Sequence, residues 1–132
     1  MPKKKQLTRS KLVKKLDNIF SQYIRLSASD KHGNCVCITC GKVAHWKGEG
    51  MQAGHFISRS AYSTRWDEDN VKVQCLACNV YRYGEQYKFS LYLGKKLSQK
   101  LLDKSRIITK FASYELEEMV EHYSFKVKKL LL

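Results

Sequence analysis

A chain of 132 residues with 43% hydrophobic side chains and a single proline can bury one small core, which excludes wholesale disorder. No apolar h-region follows the basic N-terminus and no apolar run reaches about 18 residues, so neither a secretory signal nor a membrane span is expected and the chain reads as a soluble protein. The formal charge of +13 points to a polyanionic partner, DNA or RNA first and an anionic membrane second, although a lysine-rich solvated surface would carry the same charge.

That charge is concentrated at the start: residues 1–28 hold eight Lys/Arg against Asp17 alone, whereas residues 29–93 net +2 and residues 94–132 net +4. After the Lys3–Lys5 run, Leu12, Leu16, Ile19, Phe20, Tyr23 and Leu26 recur at helical spacing, with Lys11, Lys14, Lys15 and Arg25 between them. The spacing predicts an amphipathic helix over 8–28 that stops before the turn residues Asp30, Gly33 and Asn34. Such a helix is ordinary surface, a basic face that grips phosphates, or an amphipathic membrane anchor.

Residues 35–80 hold most of the glycines and short β-like stretches such as Val71-Lys72-Val73, so hairpins and loops are expected there. Four of the five cysteines form two C-x-x-C pairs, Cys37/Cys40 and Cys75/Cys78. Two residues between thiolates let one tight turn present both sulfurs to a tetrahedral ion, and Gly41 permits the left-handed residue that closes the turn. The spacing predicts a structural Zn²⁺ on Cys37, Cys40, Cys75 and Cys78; a redox C-x-x-C would need a βαβ context that is missing. Cys35 is left over and reads as a small buried hydrophobe. Thirty-four residues separate Cys40 from Cys75, where zinc ribbons use about half as many, so chemistry is sought in the insert.

Helical periodicity returns from about Asn79 through Tyr87, Leu91, Leu97, Leu101 and Leu102, with Gly94 as a break. Ser113 is placed to cap a last helix with Glu115, Glu117 and Glu118 in its first turns and Lys126, Lys128 and Lys129 at its end, as the helix dipole favours. Met119, Val120, Tyr123, Val127 and Leu130 form its apolar stripe.

The insert runs Gln52-Ala53-Gly54-His55-Phe56-Ile57, then Arg65-Trp66-Asp67-Glu68-Asp69-Asn70-Val71, and closes with Gln74-Cys75-Leu76-Ala77-Cys78-Asn79 and Arg82. A His, an Asn about fifteen residues later and an Asn directly after the final Cys resemble the HNH (ββα-metal) nucleases. Within them, residues 35–102 are similar to the NinG/Rap recombination nucleases of lambdoid phages. The resemblance implies an α+β fold: one domain over 1–132, with a basic helix in 1–30, a zinc-bound ββα-metal, treble-clef-like core in 35–93 and helices in 94–132. It implies a metal-dependent endonuclease acting on branched DNA such as Holliday junctions or D-loops, in the cytoplasm of a bacterial host. A two-fold symmetric junction fits a homodimer.

On this reading His55 activates water, Asn79 offers an amide oxygen to Mg²⁺ or Mn²⁺, and Asn70 holds the His55 loop. Arg59, Arg65, Arg82 and Lys88, with Lys11, Lys14 and Lys15 of the first helix, are expected phosphate contacts. His32, His45 and His122 read as structural. Many HNH sites carry an acid or a His directly before the base, but here Gly54 stands there, with Gln52 two residues earlier and Glu49, Asp67 or Asp69 as candidates to complete the metal's sphere. Two other readings use the same residues: a non-catalytic zinc DNA-binding module, and an HNH nicking nuclease indifferent to DNA structure.

Overall fold

Leu12, Leu16, Phe20 and Ile24 recur every four residues, and this stripe is the buried face of helix α1 (Arg9–Ser27). The computed structural model describes residues 7–132, so the Lys3–Lys5 run lies outside the described residues. Thr8 caps α1, its hydroxyl accepting the Lys11 N–H at 3.3 Å. The chain leaves the helix through a turn in which the Asp30 carboxylate accepts the N–H groups of His32 and Asn34, each at 2.9 Å.

Two antiparallel hairpins follow. β1 (Asn34–Val36) pairs with β2 (Val43–His45), and β3 (Met51–His55) pairs with β4 (Val71–Cys75), with Met51 opposite Cys75 and His55 opposite Val71. The first hairpin's loop contains Cys37 and Cys40. The second hairpin's connection, residues 56–70, carries the short helix α2 (Tyr62–Arg65). Beyond β4 come a π-helical turn (Ala77–Tyr81) and helices α3 (Gln86–Leu93), α4 (Lys95–Ser105) and α5 (Ser113–Leu130). The architecture is mixed α+β.

α5 lies along α1 and buries Leu116, Val120, Tyr123 and Val127 against it, with the Phe20 and Tyr123 rings meeting edge-on at 4.9 Å. A fully buried ring such as Phe20 contributes about 2–3 kcal/mol by leaving water. The Tyr23 and Tyr123 hydroxyls both donate to the Glu68 carboxylate at 3.1 Å, which ties α1 and α5 to the loop before β4. No helix among the described residues is long and apolar enough to cross a membrane.

Two element boundaries differ from expectation. The helix expected from Asn79 is delayed: the π-helical turn ends at Tyr81, three consecutive residues with positive φ (Tyr83, Gly84, Glu85) break the chain, and α3 begins at Gln86. Asn79 therefore sits inside the π-helical turn and not at the start of α3. Ser113 is the first residue of α5 and not its cap. Ala112 occupies the cap position, and the Glu115 carboxylate, accepting the Ala112 N–H at 3.0 Å, does the capping and favours the positive end of the helix.

Candidate metal centre and adjoining cleft

The two C-x-x-C turns meet. The sulfurs of Cys37, Cys40, Cys75 and Cys78 lie within 4.8 Å of one another, close to the edge of about 3.8 Å that a tetrahedral ZnS₄ centre requires. Local backbone shape explains the convergence. In the first turn the Gly41 N–H donates to the Cys37 carbonyl at 2.9 Å and Gly41 adopts φ +82°. The Ile38 N–H donates to the Val73 carbonyl at 3.0 Å, which docks this turn on β4. In the second, Cys75 ends β4 and Cys78 lies in the π-helical turn, whose N–H donates to the Cys75 sulfur at 3.5 Å. The cluster could bind a metal, and its all-thiol donor set suits zinc. Cys35 stays apart, buried in β1 with its thiol donating to the Ala44 carbonyl.

Beside the cluster an open cleft of about 1280 Å³ runs between α1, β3 and the π-helical turn. His55, Asn79, Gln52, Glu49 and Arg59 all line it. His55 closes β3 and its Nε2 lies 2.9 Å from the Arg65 carbonyl. A carbonyl only accepts, so Nε2 carries the proton and Nδ1 keeps its lone pair. Burial holds the His55 pKa below the ordinary histidine value, with the Arg65 carbonyl pulling the other way, so the ring is neutral at pH 7. Asn79 donates from Nδ2 to Gln52 Oε1 at 2.7 Å. No hydrogen bond among the described residues engages Asn79 Oδ1, which leaves that oxygen available to a cation.

Asn70 is fully buried under the loop that follows His55. Its Nδ2 donates to the carbonyls of Ile57 and Thr64, both at 3.0 Å, and its Oδ1 accepts the Ile57 N–H at 2.8 Å. These bonds fix the backbone on both sides of the segment that leads from His55 to Arg65. Asn70→Ala should cost about 2–4 kcal/mol by stranding those groups, read as a lower urea midpoint; an unchanged midpoint would contradict it.

Gly54 has a local physical cause. A Cβ there would overlap Gln74 Oε1, so the Gln74 side chain already fills the space an acid would need. Gln74 is fully buried, and its Nε2 donates to the Gly84 carbonyl at 2.8 Å and to the Thr39 hydroxyl at 3.2 Å. Of the three acids considered for the metal, only Glu49 lines the cleft. Asp67 is paired with Lys104 at 2.6 Å, and Asp69 is exposed away from the cleft.

Among the expected phosphate contacts, Arg65 is spent internally. It grips Asp17 with two hydrogen bonds, Nη2 to Oδ2 at 2.6 Å and Nε to Oδ1 at 3.1 Å, and only 14% of its side chain is exposed. Asp17, which also accepts from the Trp66 indole at 3.0 Å, holds the Arg65 pKa up. Sequence reasoning assigned Asp17 no role, because its partner lies 48 residues away. Arg59 is 62% exposed at the cleft. Arg82 and Lys88 are exposed beyond the π-helical turn. Lys11, Lys14 and Lys15 are exposed on α1, at helical spacing before Asn18, Ser21 and Arg25, which line the cleft. Replacing these three lysines with Ala should reduce the slope of log affinity for DNA against log salt by up to about 3; an unchanged slope would make the stripe ordinary solvated surface.

The family model described as "NinG: Bacteriophage Lambda NinG protein" matches residues 1–131. Curated relatives include proteins described as "Protein ninG" from Escherichia phage 933W and Enterobacteria phage VT2-Sa, each 28% identical over 98 residues, and from Escherichia phage lambda, 26% identical over 98 residues. Each match covers 72% of this chain and 44% of the relative, so the chain spans less than half the length of the curated relatives it matches. No solved structure matches.

Proposed function

From the premise that the chain belongs to the NinG family, we propose that it is a metal-dependent endodeoxyribonuclease of the HNH type that hydrolyses phosphodiesters in branched DNA. The observation that carries this reading is the commitment of His55 Nε2 to the Arg65 carbonyl, which leaves Nδ1 as a free base beside a cleft shared with Asn79 and Glu49. The order β3, β4, then a helical turn, clasped by four cysteines, supports a ββα-metal core.

The chemistry follows from these positions. His55 Nδ1 takes a proton from a water molecule, whose oxygen attacks the phosphorus as the bond to the leaving ester oxygen breaks. Asn70 and the Arg65 carbonyl keep the imidazole aimed, so little reorganisation is needed during reaction. Arg59 is placed to hold a non-bridging phosphate oxygen. Asn79 Oδ1 and Glu49 would hold Mg²⁺ or Mn²⁺, hard cations that take oxygen ligands and stabilise charge developing on the phosphate. Gln52 orients the Asn79 amide, so that its oxygen is the atom left over for the cation. The four thiols would hold zinc in a closed, structural site, which fixes the π-helical turn that carries Asn79.

The test compares cleavage of a labelled four-way junction and a linear duplex of the same sequence across a range of Mg²⁺ concentrations, for the wild type and Asn79→Ala. The junction should be cut faster, and Asn79→Ala should need more Mg²⁺ and be partly rescued by excess. Equal cutting of both DNAs would favour the nicking nuclease without structure preference. Superimposable Mg²⁺ titrations would remove Asn79 from the metal site.

A further inference from the structure

The tyrosines just beyond the metal cluster are not part of that chemistry. Tyr81, Tyr83 and Tyr87 are 73%, 88% and 76% exposed, within seven residues of one another, while Phe89 of the same segment is fully buried. Arg82 lies between Tyr81 and Tyr83, Lys88 directly follows Tyr87, and Glu85 is the only acid from residue 77 to residue 94. Tyr83 also lines the cleft that holds His55 and Asn79.

The backbone presents Tyr83 at a cost. It has φ 54° and is followed by Gly84 at φ 85° and Glu85 at φ 48°, a run of left-handed residues in which only the glycine is at ease. The run is held from inside: the Gly84 N–H donates to the Cys78 carbonyl at 2.8 Å, and the Gly84 carbonyl accepts from buried Gln74 at 2.8 Å. A fully buried side chain and a cluster cysteine are thus used to keep an exposed aromatic ring at the lip of the cleft. Strain maintained by the surrounding structure in this way concentrates at functional sites.

We propose that Tyr83, flanked by Tyr81 and Tyr87, is a stacking platform for unpaired bases of a DNA strand whose phosphates are drawn in by Arg82 and Lys88. This inference rests on the reading of the chain as DNA-binding and accounts for binding to branches that carry unpaired nucleotides, such as D-loops and forks, by exposed base faces. Aromatic faces take any base, and paired duplex offers none except at its ends. The platform therefore distinguishes DNA with unpaired nucleotides from continuous duplex, with no base sequence read.

The test measures binding by fluorescence anisotropy in Ca²⁺, with zinc-loaded wild type, Tyr83→Ala and Tyr83→Phe. The probes are a linear duplex, the same duplex ending in an unpaired fork, and a single strand. Tyr83→Ala should weaken binding to the fork and single strand about tenfold while duplex affinity stays within about twofold, and Tyr83→Phe should bind like wild type. A 2-aminopurine base in the fork's unpaired arm should be quenched by wild type and not by Tyr83→Ala. Equal weakening toward all three probes would overturn the platform. Wild-type affinity of Tyr83→Ala for every probe would also overturn it, and would assign the exposed tyrosines to a protein partner. A wild-type protein that binds no DNA overturns the DNA-binding reading itself, a result distinct from either of these.

Discussion

His55→Ala should lower single-turnover cleavage of a four-way junction by about 10²–10⁴, the usual worth of a general base, while zinc content, folding and junction affinity in Ca²⁺ stay near wild type. The selectivity of this loss follows from the structure. The four sulfurs cluster without help from the imidazole, and none of the exposed cations Arg59, Arg82, Lys88, Lys11, Lys14 and Lys15 is hydrogen-bonded to it. His55→Gln would be no rescue, since an amide accepts a hydrogen bond without taking a proton at neutral pH. The pH dependence has a defined sign. In the proposed mechanism the neutral ring is the active form, and burial holds the His55 pKa below its ordinary 6.5, so activity should be flat through neutrality and fall only on acidification below that value. Rates measured at DNA concentrations below saturation report this group in the free protein. A midpoint above 6.5, or cleavage by His55→Ala at the wild-type rate, would show that another group is the base.

Loss of the proposed zinc should have the largest effect on the fold. Cys78→Ser, or prolonged treatment with a strong chelator, should unfold residues 34–85 cooperatively, because apparent binding free energies of structural zinc reach about 10–16 kcal/mol and appear as folding free energy. The cluster joins the loop of the first hairpin to the end of the second, and apart from it that loop is tied to β4 by the Ile38–Val73 backbone bond and the Gln74–Thr39 side-chain bond. The measurement is elemental analysis of protein purified without chelators, paired with thermal unfolding. One zinc per chain and a large loss of stability in Cys78→Ser are expected. Cys35→Ala, which deletes a buried sulfur outside the cluster, should keep the zinc and cost about 1 kcal/mol. Protein that contains no zinc and unfolds at the same temperature with or without chelator would contradict the assignment.

Features set by local periodicity were legible in the sequence. Leu12, Leu16 and Phe20 specify α1 by their spacing alone, and the two C-x-x-C pairs announce the cluster because a thiolate turn needs no distant partner to form. Features set by distant side chains were not. Nothing near Tyr83 and Glu85 calls for positive φ; Gln74 and the Cys78 carbonyl impose it. Nothing beside Arg65 signals that Asp17 will engage it, so the side chain of a residue read as a phosphate contact is paired internally while its carbonyl meets His55. Gly54 looked like a missing ligand until the position of Gln74 explained it. Tyr87 and Leu91 fit a helical pattern, yet α3 turns Phe89 inward and leaves both exposed, because a helix of eight residues has room for one anchored face.

The measurement that bears most directly on the account is incubation of the zinc-loaded wild-type protein with an end-labelled four-way junction in Mg²⁺, in Mn²⁺ and in EDTA. Cleavage near the branch point with either divalent metal, abolished by EDTA under conditions where the cysteine cluster keeps its zinc, is the expected result. Tight junction binding with no cleavage in any metal would contradict the nuclease assignment and leave a zinc-stapled DNA-binding module.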